Sequence, residues 1–230
     1  DAAIAAARVG QERLAELPLE RRSALIAAMR QAAMENAPAL ARAAWQETGM
    51  GRPEDKVEKN LLVAERTPGT EVLQAQAWTG DRGLTLVELA PYGVIGAITP
   101  STNPTSTIIS NAIGMIAAGN SAVFNAHPGA KSCSAETVRV LNRSIRGVGG
   151  PPDLLTCPAE PTIESAQRLM HHPSVRLLVV TGGPAVVREA MASGKKAICA
   201  GPGNPPVVVD GTADLEQAAD AVATRPAEPD

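Results

Sequence analysis

The residues best suited to chemistry cluster in one stretch, APYGVIGAITPSTNPTSTIISNAIGMIAAGNSAVFNAH, from Ala90 to His127. The apolar run VIGAI leads into a polar turn, Thr99-Pro100-Ser101-Thr102-Asn103-Pro104, and then into a longer apolar run of helical length. Pro104 can begin a helix and Ser101 to Asn103 can cap it, leaving backbone N–H groups facing outward. An asparagine NH2 in that place is a neutral donor able to stabilise an oxyanion developing on a carbonyl. Spacing alone leans to the simpler reading, in which Asn103 only caps the helix. Two later turns have a comparable setting. Asn125-Ala126-His127-Pro128-Gly129, after SAVF, could meet a ribose or an adenine edge, or could merely punctuate a strand end. Thr181-Gly182-Gly183-Pro184 follows RLLVV. Its glycines let backbone come close to a nicotinamide or a diphosphate, and a helix starting at Pro184 would point its positive end at the anion. The chain holds no GxGxxG fingerprint.

A nucleophile is harder to find. Cys133, Cys157 and Cys199 are odd in number and lack CxxC spacing, which disfavours a zinc site or a disulfide framework and makes a reducing cytoplasm the default. Each thiol reads as a small buried or half-buried hydrophobe. Cys199, at a strand end, is the one to examine as a nucleophile, although Lys195 and Lys196 precede that strand and are expected at its far end. His171 and His172 are adjacent, which suits no metal pairing, and they read as helix-end residues before Pro173.

These turns need elements to hold them. The chain has 230 residues, a formal charge of -3 and few aromatics, so its core must be built from Ala, Val, Leu and Ile. That suits helices on parallel strands. The charge balance argues against a nucleic-acid surface. No run is long enough to cross a bilayer, and no signal peptide opens the chain. Residues 1–75 read as helical, with Leu25, Ala28, Met29, Ala32 and Ala33 on one face, a break at Pro38, and stops at Gly49 and Gly51. Residues 53–66 form a further helix opened by proline and acids and ended at Thr67-Pro68-Gly69. Residues 84–90 alternate as a strand outside the main sheet. From 91 to 223, strands VIGAIT, SAVFNA, DLLTCP, RLLVVTG, KAICAG and PVVVD alternate with helices, each strand expected to be buried on both faces. The fold class is α/β: a doubly wound, mostly parallel, Rossmann-like sheet preceded by a helical segment, with a frayed tail at 224–230.

In this order and at these intervals the segments resemble the aldehyde dehydrogenase superfamily, and within it the CoA-acylating aldehyde dehydrogenases of ethanolamine and propanediol utilisation. The signatures are KNLLVAERTPGTE, GLTLVELAPYGVIGAITPSTNPT, AAGNSAVFNAHPGAK, LLVVTGGPAVV and AGPGNPPVVVDGTADLEQAA, so the resemblance runs along nearly the whole chain. It implies that Asn103 is the oxyanion-hole asparagine, and that Thr99, Pro100, Ser101 and Thr102 run beside the nicotinamide ribose and ring. His127 and Pro128 fall near the place where hydrolytic relatives hold the adenosine ribose with a lysine. Thr181, Gly182 and Gly183 match the turn against which the nicotinamide end and diphosphate lie. Where hydrolytic members carry a glutamate that activates water, this sequence has Cys199, in Cys199-Ala200-Gly201-Pro202-Gly203. Without that carboxylate, CoA becomes the expected acyl acceptor.

The implied reaction is oxidation of a short aldehyde with NAD as cofactor and CoA as co-substrate, through a cysteine thiolate that the resemblance places beyond Asp230. The 230 residues by themselves are thus expected to be the inactive NAD-binding part of such an enzyme. The alternatives are a non-catalytic nucleotide-binding fragment and an unstable remnant. The resemblance also implies a homo-oligomer, in the cytoplasm or within a bacterial microcompartment and associated with its shell, with no metal.

Overall fold

A computed structural model describes residues 1–201 and 206–223. Three helices come first, α1 (Ala2–Ala15), α2 (Leu19–Thr48) and α3 (Pro53–Arg66). The expected break at Pro38 does not occur: α2 runs unbroken through it. Pro38 is exposed, so water can satisfy the carbonyl deprived of its N–H partner. On the opposite side Met29, Ala33, Ala37, Leu40, Ala41 and Ala44 are buried, and that packing outweighs a proline cost of about 3 kcal/mol. Leu25, Met29 and Ala33 are buried as their spacing requires, while Ala28 and Ala32 are half-buried. Gly49 ends the helix with φ 67°, the left-handed conformation that glycine adopts without strain. α3 opens with Pro53 in its first turn beside Glu54 and Asp55, and stops at Thr67.

A two-stranded antiparallel hairpin follows, β1 (Gln76–Gly80) and β2 (Gly83–Val87), separate from the main sheet. The expected strand over 84–90 is thus shortened to end at Val87, and its partner β1 was not foreseen. Both strands are exposed along their whole length.

The main sheet holds β3 (Val94–Thr99), β4 (Ser121–Ala126), β5 (Leu155–Thr156), β6 (Val175–Thr181) and β7 (Lys196–Ala200), in the order β5-β4-β3-β6-β7 and parallel throughout. The helices between them are α4 (Pro104–Ala117), α5 (Lys131–Gly147), α6 (Ile163–His171) and α7 (Pro184–Ala192). From β3 the chain winds outward to β4 and β5, then returns to the other side of β3 for β6 and β7. This is the doubly wound arrangement.

Alternation along the strands builds two cores. Ile95, Ala97, Phe124 and Leu177 pack with Leu25, Met29, Ile109, Ile113 and Leu141 on one face. Val94, Ile98, Val123, Leu178 and Val180 pack with Ile4, Ala7, Leu169 and Met170 on the other. Gly96 permits the close approach on that second face: a Cβ there would lie 3.1 Å from each of Leu169, Leu178 and Val175.

Burial on both faces holds for β3 and β4, where every residue is buried, but not for the sheet as a whole. β7 alternates exposed and half-buried residues as an edge strand, paired on one flank among the described residues. DLLTCP contributes only two strand residues. PVVVD forms no strand; Val207, Val208 and Val209 are exposed and, among the described residues, have no ladder to join. A helix not foreseen, α8 (Leu215–Ala223), follows. The expected tail at 224–230, and Pro202 to Pro205, lie outside the described residues. Among the described residues no helix is long and apolar enough to cross a membrane.

Candidate active site

Strand order decides which turns meet. β4, β3 and β6 are consecutive and parallel, with Thr99 opposite Ala126 and Ile98 opposite Val180. The three turns after them therefore lie along one rim of the sheet, at neighbouring strands about 4.8 Å apart. The point where the winding reverses falls between β3 and β6, and open α/β sheets bind ligands at the carboxyl ends of the strands there. The turns carrying Asn103 and Gly182-Gly183 flank that point.

The β3–α4 turn is held by α3. Lys56, Lys59 and Asn60, spaced three and four residues apart, share one face of that helix. Lys56 is 6% exposed, and its Nζ donates to the Thr102 carbonyl at 2.8 Å. Lys59 Nζ donates to Asn103 Oδ1 at 3.0 Å. Asn60 is fully buried; its Nδ2 donates to the Ala37 carbonyl at 3.3 Å, and its Oδ1 accepts from Thr105 Oγ1 at 2.9 Å.

Asn103 is the N-cap residue of α4 by position, yet its side chain makes no capping bond. Its Nδ2 has a contact only with Thr102 Oγ1, at a long 3.4 Å, among the hydrogen bonds of the described residues. The simple helix-cap reading of this side chain therefore fails. Thr99 is enclosed, its carbonyl accepting from His127 N at 3.1 Å, whereas Pro100, Ser101 and Thr102 are half-buried.

The β4–α5 turn is held by α2. Glu47 Oε1 and Oε2 accept from Ser132 N at 2.8 Å and Cys133 N at 2.7 Å, capping α5. Burial pushes the Glu47 carboxyl up, but the backbone and side-chain hydrogen bonds of Cys133 and Ser132 outweigh it and hold the group below the usual carboxylate range. His127 and Pro128 are exposed. His127 Nδ1 accepts from Gly129 N at 3.1 Å, which leaves Nε2 as the protonated nitrogen of the neutral ring. Asn125 is buried, and its Oδ1 accepts from Ser165 Oγ at 2.6 Å. Beside this turn lies a depression of ≈ 630 Å³ lined by Glu47, Lys131, Glu136 and Glu160 among others.

The β6–α7 turn is made differently. Gly182 N donates to the Ala200 carbonyl at 3.2 Å. A Cβ on Gly182 would come within 2.8 Å of Val186, whereas a Cβ on Gly183 would meet nothing within 4 Å. Pro184 opens α7 with Gly183 as N-cap, so free N–H groups and the positive helix end face the rim. Open space at Gly183 and an under-used amide at Asn103 fit a dinucleotide laid across the reversal point.

Two of the three cysteines are held as thiols. Burial pushes Cys133 up to about 12, with Glu47 beside it adding to the effect. Burial likewise pushes Cys157 up to about 11. Cys199 is half-buried and packs against the second core. Lys195 and Lys196 sit at the amino end of β7, as expected. Lys195 Nζ donates to the carbonyls of His172 and Val175, and Lys196 Nζ donates to Tyr92 Oη. His171 ends α6 and His172 is its C-cap.

Lys56, Lys59, Asn60 and Glu47 were not singled out by sequence reasoning. The one available signal for the three α3 residues was the polar stripe Lys56, Lys59 and Asn60 within PEDKVEKN, on a helix that must also pack, and Glu47 had none. Nothing local says what such a stripe touches.

A doubly wound sheet with an amide-bearing turn at its reversal point defines a nucleotide-binding fold of the dehydrogenase kind. The aldehyde dehydrogenase family model matches residues 1–226, and this chain belongs to that family. It is similar to the acetaldehyde dehydrogenase (acetylating) of Bilophila wadsworthia, 53% identical over 218 residues, 94% of this chain and 45% of that protein. A propionaldehyde dehydrogenase from the Clostridium phytofermentans fucose utilisation bacterial microcompartment superposes with TM-score 0.89 at 48% identity, across 94% of this chain and 50% of that one. The Rhodopseudomonas palustris propionaldehyde dehydrogenase with bound CoA and an acylated cysteine gives TM-score 0.90 at 48% identity, across 95% and 50%. The chain spans about half the length of the relatives it matches.

Proposed function

We propose that this chain is the nucleotide-binding part of an NAD-dependent, CoA-acylating aldehyde dehydrogenase acting on a short aldehyde. The reaction takes aldehyde, NAD and CoA to acyl-CoA, NADH and a proton. The observation that carries this reading is the Asn103 amide beside the reversal point, its oxygen end occupied by Lys59 and its Nδ2 almost unused. That NH2 donates to the carbonyl oxygen of the aldehyde as it becomes an oxyanion. Pro100, Ser101 and Thr102 flank the nicotinamide end, and the Gly182-Gly183 turn lets the diphosphate approach α7. Bound NAD supplies the hydride acceptor. The attacking thiolate comes from outside residues 1–230.

One further feature supports the finer assignment. Cys199 stands where hydrolytic members of the family carry a glutamate, so water lacks its base and a thiol acceptor is favoured. The choice of NAD over NADP rests on the family resemblance alone: the depression beside the His127 turn mixes Glu47, Glu136 and Glu160 with Lys131 and Arg139, and those carboxylates are already engaged by backbone N–H groups, Arg139 and Lys131. Placement within a bacterial microcompartment is supported by the similarity to an enzyme from that setting, whereas a cytoplasmic location and a homo-oligomer are what the family resemblance implies.

The test uses the polypeptide that carries this chain. Reduction of NAD by acetaldehyde or propanal is expected only when CoA is present, and reduction of NADP is expected to be slower. Equal rates without CoA would remove the acylating assignment.

A further inference from the structure

The anchoring face of α3 offers more than support. Lys59 is exposed and far from Asn103 in sequence, yet its ammonium meets one particular atom of that side chain, Oδ1. An ammonium has three donors and no acceptor, so it can face only the oxygen end of an amide. The contact therefore selects one of the two flips open to Asn103 and turns Nδ2 away from α3. It also draws electron density toward Oδ1, which makes the N–H groups better donors. Lys56 fixes the preceding peptide through the Thr102 carbonyl, so the side chain that Lys59 orients starts from a held backbone.

We propose that Lys59 is a positioning residue for Asn103: it orients and polarises the amide so that Nδ2 faces the reacting carbonyl. The inference rests on the reading of Asn103 as the oxyanion donor.

A double-mutant cycle tests it in the polypeptide that carries this chain. K59M is expected to lower kcat about 10-fold, a fraction of the 10²–10³ lost with a whole oxyanion donor, and to leave the KM for NAD unchanged. K59R, which keeps a cationic donor, restores most of the rate. In an N103A background K59M costs nothing further, because the group it positions is gone. The exposed site makes a shifted melting temperature unexpected, and a thermal melt checks this. If N103A is slow while K59M matches the parent, or if the two losses simply multiply, the proposal falls and the role of Asn103 stands. If N103A is as fast as the parent, the oxyanion reading falls and takes the proposal with it.

Discussion

The two turns that flank the reversal point are built on opposite plans. The β3–α4 turn is anchored from outside the sheet: Lys56, Lys59 and Asn60 of α3 reach Thr102, Asn103 and Thr105. The β6–α7 turn depends on what its residues lack, with glycines at 182 and 183, and Gly182 N is held within the sheet by the Ala200 carbonyl. One plan fixes a single donor in one orientation; the other clears room for something to lie against backbone. A group that must meet a developing charge needs a fixed position, because preorganisation is what makes such a donor effective. A turn that accommodates a phosphate needs approach and free N–H groups. The β4–α5 turn follows the first plan, with Glu47 of α2 in the anchoring role.

The contrast can be broken most forcefully at Asn103. N103A removes the fixed donor and is expected to lower kcat by about 10²–10³ in steady-state assays while the affinity for NAD changes little. A loss of NAD affinity in place of kcat would put Asn103 on the second plan. Next comes the anchor. N60L leaves the Thr105 hydroxyl without its partner and is expected to destabilise the protein by about 2 kcal/mol, seen as a lower midpoint in denaturant.

At the glycine turn the two positions should separate. G183A enters open space at an ordinary φ of -66°, so the fold persists while the added methyl weakens NAD binding in a titration. G182A meets Val186 and should lower thermal stability, with V186A in the same chain recovering part of the loss. The smallest effect belongs to Glu47. Its folded pKa lies below the ordinary carboxylate value, so its contribution is present above about pH 4.5 and is lost as pH falls through the folded value. E47Q should lower stability most above about pH 4.5 and so flatten the acid limb of the curve measured by denaturant melts, with parent and variant converging at low pH.

Much of this was legible before any coordinates. VIGAIT and SAVFNA became β3 and β4 residue for residue, since a short, largely apolar run between glycine, proline and polar turns has few other uses. Pro104 and Pro184 opened helices because proline is best tolerated in the first turn. The errors have physical causes too. Pro38 was expected to break a helix that tertiary packing keeps whole. PVVVD has strand composition but no neighbour to pair with among the described residues, and propensity cannot supply one.

The sequence by itself determined the alternation of strand and helix, the family through its motifs, and the three turns able to touch a nucleotide. These depend on near neighbours, whose periodicity and backbone limits are written locally. Only the tertiary structure decided that β3 and β6 lie side by side, that Asn103 does not cap its helix, and that Lys59 holds the amide. Those facts join residues more than forty positions apart, and such contacts exist only once the core has packed α3 against α4.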